Sequence, residues 1–170
     1  MAPGFRTLGS KPSHQNGLTL IELVAVVVVI GILSGFAAVR YSARYEQSLV
    51  MQADRLRRNL AHAQVLAISQ SQRLQFTASG SQYSVQQCSN VACSTTAALI
   101  DTSTGSAFAV TLDDGAVVSS PVSFLLDNLG RPATASGLIA TAPAATLTLQ
   151  LGGKTRSVRV APLTGFAQTP

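Results

Sequence analysis

Gly17-Leu18-Thr19-Leu20-Ile21-Glu22-Leu23 opens the stretch that decides the fold, and an almost unbroken apolar run carries it on to Val39. Glu22 is the only charge in the 22 residues from Leu18 to Val39, and beyond Leu23 the one polar side chain is Ser34. A helix of that length spans roughly 33 Å, enough to cross the hydrocarbon core of a bilayer. The run Val26-Val27-Val28-Val29-Ile30 has poor helix propensity in water. In lipid the backbone must satisfy its own hydrogen bonds, so helix is still the expectation. Residues 18–39 therefore read as a membrane segment. An ordinary secretory signal has a shorter apolar core and a small-residue exit, whereas this run continues directly into Arg40-Tyr41. Hydropathy alone fits an uncleaved anchor. Glu22 does not, because a carboxylate at that depth costs about 3 kcal/mol and calls for a partner or a purpose.

Outward from this stretch the character changes on both sides. Met1 to Asn16 is polar and positive, with Arg6, Lys11 and His14. The whole chain has 170 residues, 46% of them hydrophobic and only 11% charged, too apolar for disorder and a fit for one domain behind an anchor. His14 and His62 are the only histidines, and Cys88 and Cys93 the only cysteines. Such counts leave no metal cage, and seven acidic residues leave few groups for acid–base catalysis. Neither a metal nor another cofactor is expected, and a subunit or binding module is favoured over an enzyme.

Past Val39, Leu49, Ala53, Leu56, Leu60, Ala63 and Ala67 recur at steps of three and four, the stripe of an amphipathic helix. Arg55, Arg58, Asn59 and His62 fill the other side; His62 reads as solvated, and Asp54 is placed to pair with Arg58 at i,i+4. The cluster Arg55, Arg57 and Arg58 reads as a hydrated face, with an inter-subunit contact as the alternative. The spacing predicts one helix over 18–72, roughly 80 Å long. From Arg73 the residues favour strands. Leu74–Thr77 and Tyr83–Gln86 flank a turn at Gly80, and Phe108–Leu112, Asp114-Gly115 and Val117-Val118 read as a tight hairpin. Val122–Leu126 is a further strand, ended by Asn128–Pro132. A two-residue loop at Gly152-Gly153 would pair Leu151 with Lys154, Leu149 with Arg156 and Leu147 with Val158, turning Leu147, Leu149, Val158 and Val160 to the core. Lys154 and Arg156 then share the inner face and must reach out past its end. The fold class is α+β: a long helix, half membrane segment and half amphipathic, on an antiparallel sheet domain over 73–170.

Read together, the basic leader, the Gly17–Leu23 signature and the apolar helix resemble the type IV pilins and pseudopilins, with Leu18 where phenylalanine is usual and Val39 where many of them carry proline. The resemblance implies cleavage between Gly17 and Leu18 by a prepilin peptidase, removing 1–17, and N-methylation of Leu18. It also implies that Glu22 docks subunits into a filament by pairing with the new α-amine in a low-dielectric setting. Its implied partners are other pilin or pseudopilin subunits, the inner-membrane assembly platform and, before assembly, membrane lipid. The C-terminal domain would lie in the periplasm, although Arg40, Arg44, Arg55, Arg57 and Arg58 behind the run argue the opposite orientation on charge alone. Leu129-Gly130-Arg131-Pro132 and the late Leu163-Thr164-Gly165-Phe166 are similar to FimT/GspH-type minor pilins and to minor pilins of mannose-sensitive haemagglutinin pili. These are non-catalytic subunits that initiate or cap a filament.

Gly31 and Gly35 form a small-xxx-small pair that would let helices approach in a bilayer, or are two incidental glycines. Cys88 and Cys93 bracket a polar loop, and on the oxidising periplasmic side a bridge is favoured over two free thiols. Arg131, Lys154, Arg156 and Arg159 are a local positive excess. They carry the alternative reading, a DNA-contacting minor pilin for DNA uptake, against a solvated sheet edge. Four phosphate contacts would give weak, salt-sensitive binding, and loss of Arg6 and Lys11 with the leader lowers the net charge from +5 to +3.

Overall fold

The computed structural model describes residues 19–170, with backbone alone for 37–43. The expected leader 1–17, the cleavage junction Gly17–Leu18 and the N-methylation site Leu18 lie outside the described residues. The chain divides into two units between Val39 and Arg40.

In the first unit the helix α1 (Leu20–Ser69) begins. Thr19 caps it: the Glu22 N–H donates to the Thr19 hydroxyl at 3.3 Å and to the Thr19 carbonyl at 3.1 Å. Ser34 disposes of its hydroxyl by donating to the Ile30 carbonyl one turn back, at 2.7 Å. Every side chain described from Leu20 to Phe36 is exposed.

The second unit holds the rest of α1 and a ten-stranded antiparallel sheet. Its strands begin with β1 (Leu74–Gly80), β2 (Gln82–Cys88) and β3 (Thr96–Ala98). A separate two-stranded hairpin follows, β4 (Ile100–Asp101) with β5 (Ser106–Ala107). The sheet resumes with β6 (Ala109–Thr111), β7 (Val117–Leu126), β8 (Pro132–Thr134) and β9 (Gly137–Leu138). It closes with β10 (Ala145–Leu151), β11 (Lys154–Val160) and β12 (Ala167–Gln168). The main path runs β12-β11-β10-β7-β1-β2-β3, with β6 beside β2 and the β8–β9 hairpin beside β7.

The expected apolar stripe packs on this sheet: Leu49, Ala53, Leu56, Leu60, Ala63 and Ala67 are all at most 2% exposed. They meet Leu74 and Phe76 of β1, Tyr83 and Val85 of β2, Phe124 and Leu126 of β7, and the inner residues of the last hairpin. Phe76 centres an aromatic cluster, 5.3 Å from the Phe124 ring and 5.9 Å from that of Tyr83. Two polar side chains interrupt the apolar contact. Gln52 and Ser48 are buried, and both bind the loop before β7. The Gln52 amide donates to the Asp113 carbonyl at 2.9 Å and accepts from the Asp113 N–H at 3.1 Å, while Ser48 donates to the Asp114 carboxylate at 2.6 Å. Helix α1 stops at Ser69, three residues short of the expected end. Ser71 takes a left-handed φ of 52°, its N–H bonding the Ile68 carbonyl while the Gln72 N–H reaches back to Ala67. These are the two bonds of a Schellman end.

The last hairpin has the expected register, with Leu151 opposite Lys154, Leu149 opposite Arg156 and Leu147 opposite Val158. Its turn residues have φ of 55° and 77°, and a Cβ on Gly152 would stand 2.6 Å from the Tyr45 ring. Only glycine fits there. The hairpin expected from Phe108 to Val118 is corrected. Strand β6 pairs with β2 (Tyr83 opposite Val110), and β7 pairs with β1 and β10. Asp114 and Gly115 do take the positive φ of a hairpin turn, 57° and 78°. The flanking strands nevertheless part to opposite sides of the β1–β2 pair, because the turn is bonded to Ser48 and Gln52. Val117-Val118 and Val122–Leu126 are one strand, not two. It accommodates Pro121, which has no N–H to give, where its register with β1 shifts between Ala78 and Gly80.

Candidate functional site

The first turn of α1 holds Glu22, the residue that the sequence singles out for assembly. Glu22 is exposed, third in the helix after the Thr19 cap, where its carboxylate faces the positive end of the helix dipole. Thr-x-x-Glu is a capping-box spacing. That signal stood in the sequence, and it explains the threonine at this position independently of any partner. Gly31 and Gly35 lie along the same helix, and a Cβ on either would meet nothing within 4 Å. The neighbouring side chains are bare: Leu20 is 83% exposed and Phe36 69%. Among the described residues no helix is long and apolar enough to cross a membrane. The stretch with described side chains, Leu20–Phe36, rises about 25 Å against a core of about 30 Å. The span expected over 18–39 needs its ends, Leu18 and 37–39, whose side chains fall outside that stretch.

In the second unit the four basic residues do not form one patch. Arg131 is committed: its Nε and a terminal nitrogen donate to one Asp127 carboxylate oxygen at 2.8 and 2.7 Å. The other oxygen accepts the backbone N–H groups of Leu129 and Arg131. Burial works to raise the Asp127 carboxyl, but the guanidinium and these two N–H donors outweigh it and hold it below the usual carboxylate range. Lys154 and Arg156 share the inner parity of β11, with Val158, whereas Arg159 stands on the opposite face. Arg156 reaches outward to Glu46 of α1 at 3.8 Å, a loose pair.

The two late motifs, Leu129–Pro132 and Leu163–Phe166, meet in space. The Gln64 amide of α1 donates to the Gly130 carbonyl at 2.9 Å and to the Thr164 carbonyl at 3.1 Å. Gly165 is buried at this junction with a φ of 70°. A Cβ there would lie 2.8 Å from the Gly130 oxygen and overlap the Gln64 amide. Gln64 escaped the sequence reading, since one glutamine at the edge of a helical stripe carries no pattern. Cys88 and Cys93 are bridged. Their loop is tied down by Arg73, which donates to the Val91 carbonyl, and by Asn90, whose amide bonds Ser94.

Two expectations about the polar side of α1 are corrected. His62 is not simply solvated: its Nε2 lies 3.3 Å from the Asp101 carboxylate and its ring stacks on Phe108, centroids 5.7 Å apart. Asp101 belongs to β4 and Phe108 directly follows β5, its N–H bonding the Leu99 carbonyl at 2.8 Å, so both come from the base of the β4–β5 hairpin. Asp54 pairs with Arg57 at 3.6 Å, one residue short of the expected Arg58.

Residues 12–38 match the family model of the prokaryotic N-terminal methylation motif. The start of the chain thus carries the signature of type IV pilins and pseudopilins. No curated protein and no solved structure matches the chain.

Proposed function

We propose that this chain is a minor pilin or pseudopilin, a structural subunit that is built into, or initiates, a type IV pilus or a type II secretion pseudopilus. A prepilin peptidase cleaves after Gly17, Leu18 is N-methylated, and the apolar half of α1 passes from the inner membrane into the filament, leaving the sheet domain on the periplasmic side. The single observation that carries this reading is the methylation motif over 12–38. The bare, capped helix beginning at Leu20 supports it, because an exposed apolar helix is stable only against lipid or other helices. Glu22 and the α-amine of Leu18 neutralise each other between subunits and fix their axial register. The DNA-uptake alternative draws on Arg131, Lys154, Arg156 and Arg159. One of these is spent on Asp127 and the others face two ways, so the assembly role is the better supported.

Mass spectrometry of protein from native cells tests the reading. The expected start is N-methylated Leu18, and Glu22→Ala should enter fibres at least tenfold less than the wild type at equal cellular level. An intact, unmethylated Met1, or equal incorporation of the variant, would overturn it.

A further inference from the structure

A groove of about 610 Å³ lies between the amphipathic half of α1 and the β4–β5 hairpin. Its helix wall carries Arg55, Arg58 and His62, spaced i, i+3 and i+7, so all three project to one face. They are not equally occupied. Arg55 donates to Asp113 at 3.0 Å, and His62 is held between Asp101 and the Phe108 ring. Arg58 is exposed and makes no hydrogen bond or ion pair with any described residue. Its neighbour Asn59 is spent on the Tyr83 hydroxyl, at 2.8 Å.

The facing wall brings a single carboxylate, Asp101. One of its oxygens already accepts the Ser103 N–H at 2.9 Å and the Ser103 hydroxyl at 2.7 Å. Those bonds first, and His62 after them, hold its carboxyl below the ordinary range. Asp113, on the loop before β7, is turned to Arg55 and does not line the groove. With Arg55 balanced by Asp113, the groove presents one guanidinium that no described carboxylate engages, that of Arg58, and the hydroxyl-bearing Ser106 opposite.

We propose that this groove binds a phosphate group, with Arg58 as its principal ligand. A guanidinium offers paired N–H donors in a plane, the geometry that phosphate oxygens accept best. Arg55 and His62 share that wall but are engaged by Asp113 and Asp101, so Arg58 is the side chain left to close on the ligand. The group can come from free phosphate or from the backbone of a polynucleotide. The site lies wholly within residues 40–170 and does not depend on the assembly reading.

The test uses the full chain in detergent micelles at fixed ionic strength, titrated in one arm with inorganic phosphate and in the other with a short single-stranded oligonucleotide, chloride being the control. Saturable phosphate binding is expected, at least tenfold weaker in Arg58→Gln and unchanged in Arg159→Gln. Asp101→Asn should bind several-fold tighter, since the amide oxygen still accepts from Ser103 while the competing charge is gone. A damaged fold cannot mimic that gain. Oligonucleotide binding that falls in parallel with Arg58→Gln identifies a polynucleotide backbone as the source; a response to inorganic phosphate alone identifies free phosphate. No saturable response in either arm, or wild-type affinity in Arg58→Gln, would overturn the proposal.

Discussion

Replacing Gly165 by alanine is the sharpest probe of how the two late motifs are held. Two penalties arise from separate causes. A left-handed φ of 70° costs a residue with a Cβ about 1 kcal/mol. The new methyl would also press on the Gly130 carbonyl, 2.8 Å away, and on the Gln64 amide. Overpacking of this kind costs about 2 kcal/mol, because backbone must shift or the amide must leave its two carbonyls. The sum, about 3 kcal/mol, corresponds to a fall in Tm of about 10 °C for a unit of this size. Thermal and urea unfolding of the detergent-solubilised chain, followed by far-ultraviolet circular dichroism, reads it directly. Gly115→Ala is the control: its φ is 78° but its Cβ would meet nothing within 4 Å, so only the backbone cost of about 1 kcal/mol is expected. Gln64→Ala alone should cost about 2 kcal/mol by orphaning the carbonyl of the buried Gly130. Combined with Gly165→Ala it should cost about 1 kcal/mol less than the two singles added, because the methyl no longer meets the amide. A Gly165→Ala variant no less stable than Gly115→Ala, or strict additivity in the cycle, would refute the reasoning.

Asp127→Asn should lose about 2 kcal/mol at neutral pH, discounted for the partial exposure of Arg131. Because the Asp127 carboxyl is lowered in the folded chain, its contribution is present above about pH 4 and disappears as pH falls through the folded value. Urea midpoints from pH 7 down to 3 should therefore fall more steeply for the wild type than for the variant. Gly152→Ala should cost about 3 kcal/mol through collision with Tyr45, and Gly152→Ala with Tyr45→Ala should recover part of it in the same urea assay. Replacing both Cys88 and Cys93 by serine should lower stability by about 2 kcal/mol, the loop-entropy value for so short a closure, measured by calorimetry.

How far the sequence could be read depended on whether a signal was local. The helix stripe from Leu49 to Ala67 and the hairpin around Gly152-Gly153 each show their period within a dozen or so residues, and both formed in the expected register. Asp114-Gly115 carried a correct local message, two left-handed residues in a turn. Its strands went elsewhere because Ser48 and Gln52, some 60 residues earlier, bind the turn to α1. The same limit applies to His62, whose solvated reading failed because Asp101 and Phe108 arrive from a hairpin with no helical period to announce it. At the start of the chain, the capping spacing of Thr19 and Glu22 was legible in the sequence, and the Thr19 hydroxyl does accept the Glu22 N–H. The separation of Arg159 from Lys154 and Arg156 follows from strand alternation. The capture of Arg131 by Asp127 was within reach too, four residues apart across a turn. The junction at Gln64 was not legible, since it joins positions 66 and 100 residues away.

The bonds of Ser48 and Gln52 have one more consequence. A row of leucines and alanines is nearly indifferent to being slid along a sheet by one turn, about 5.4 Å, since each knob finds a similar hollow. Two buried polar side chains are not indifferent: move α1 by that step and three hydrogen bonds to the loop at 113–114 are lost, leaving the buried Gln52 amide and Ser48 hydroxyl without those partners. The greasy stripe supplies the adhesion, and this small polar latch sets the notch at which the rod stops.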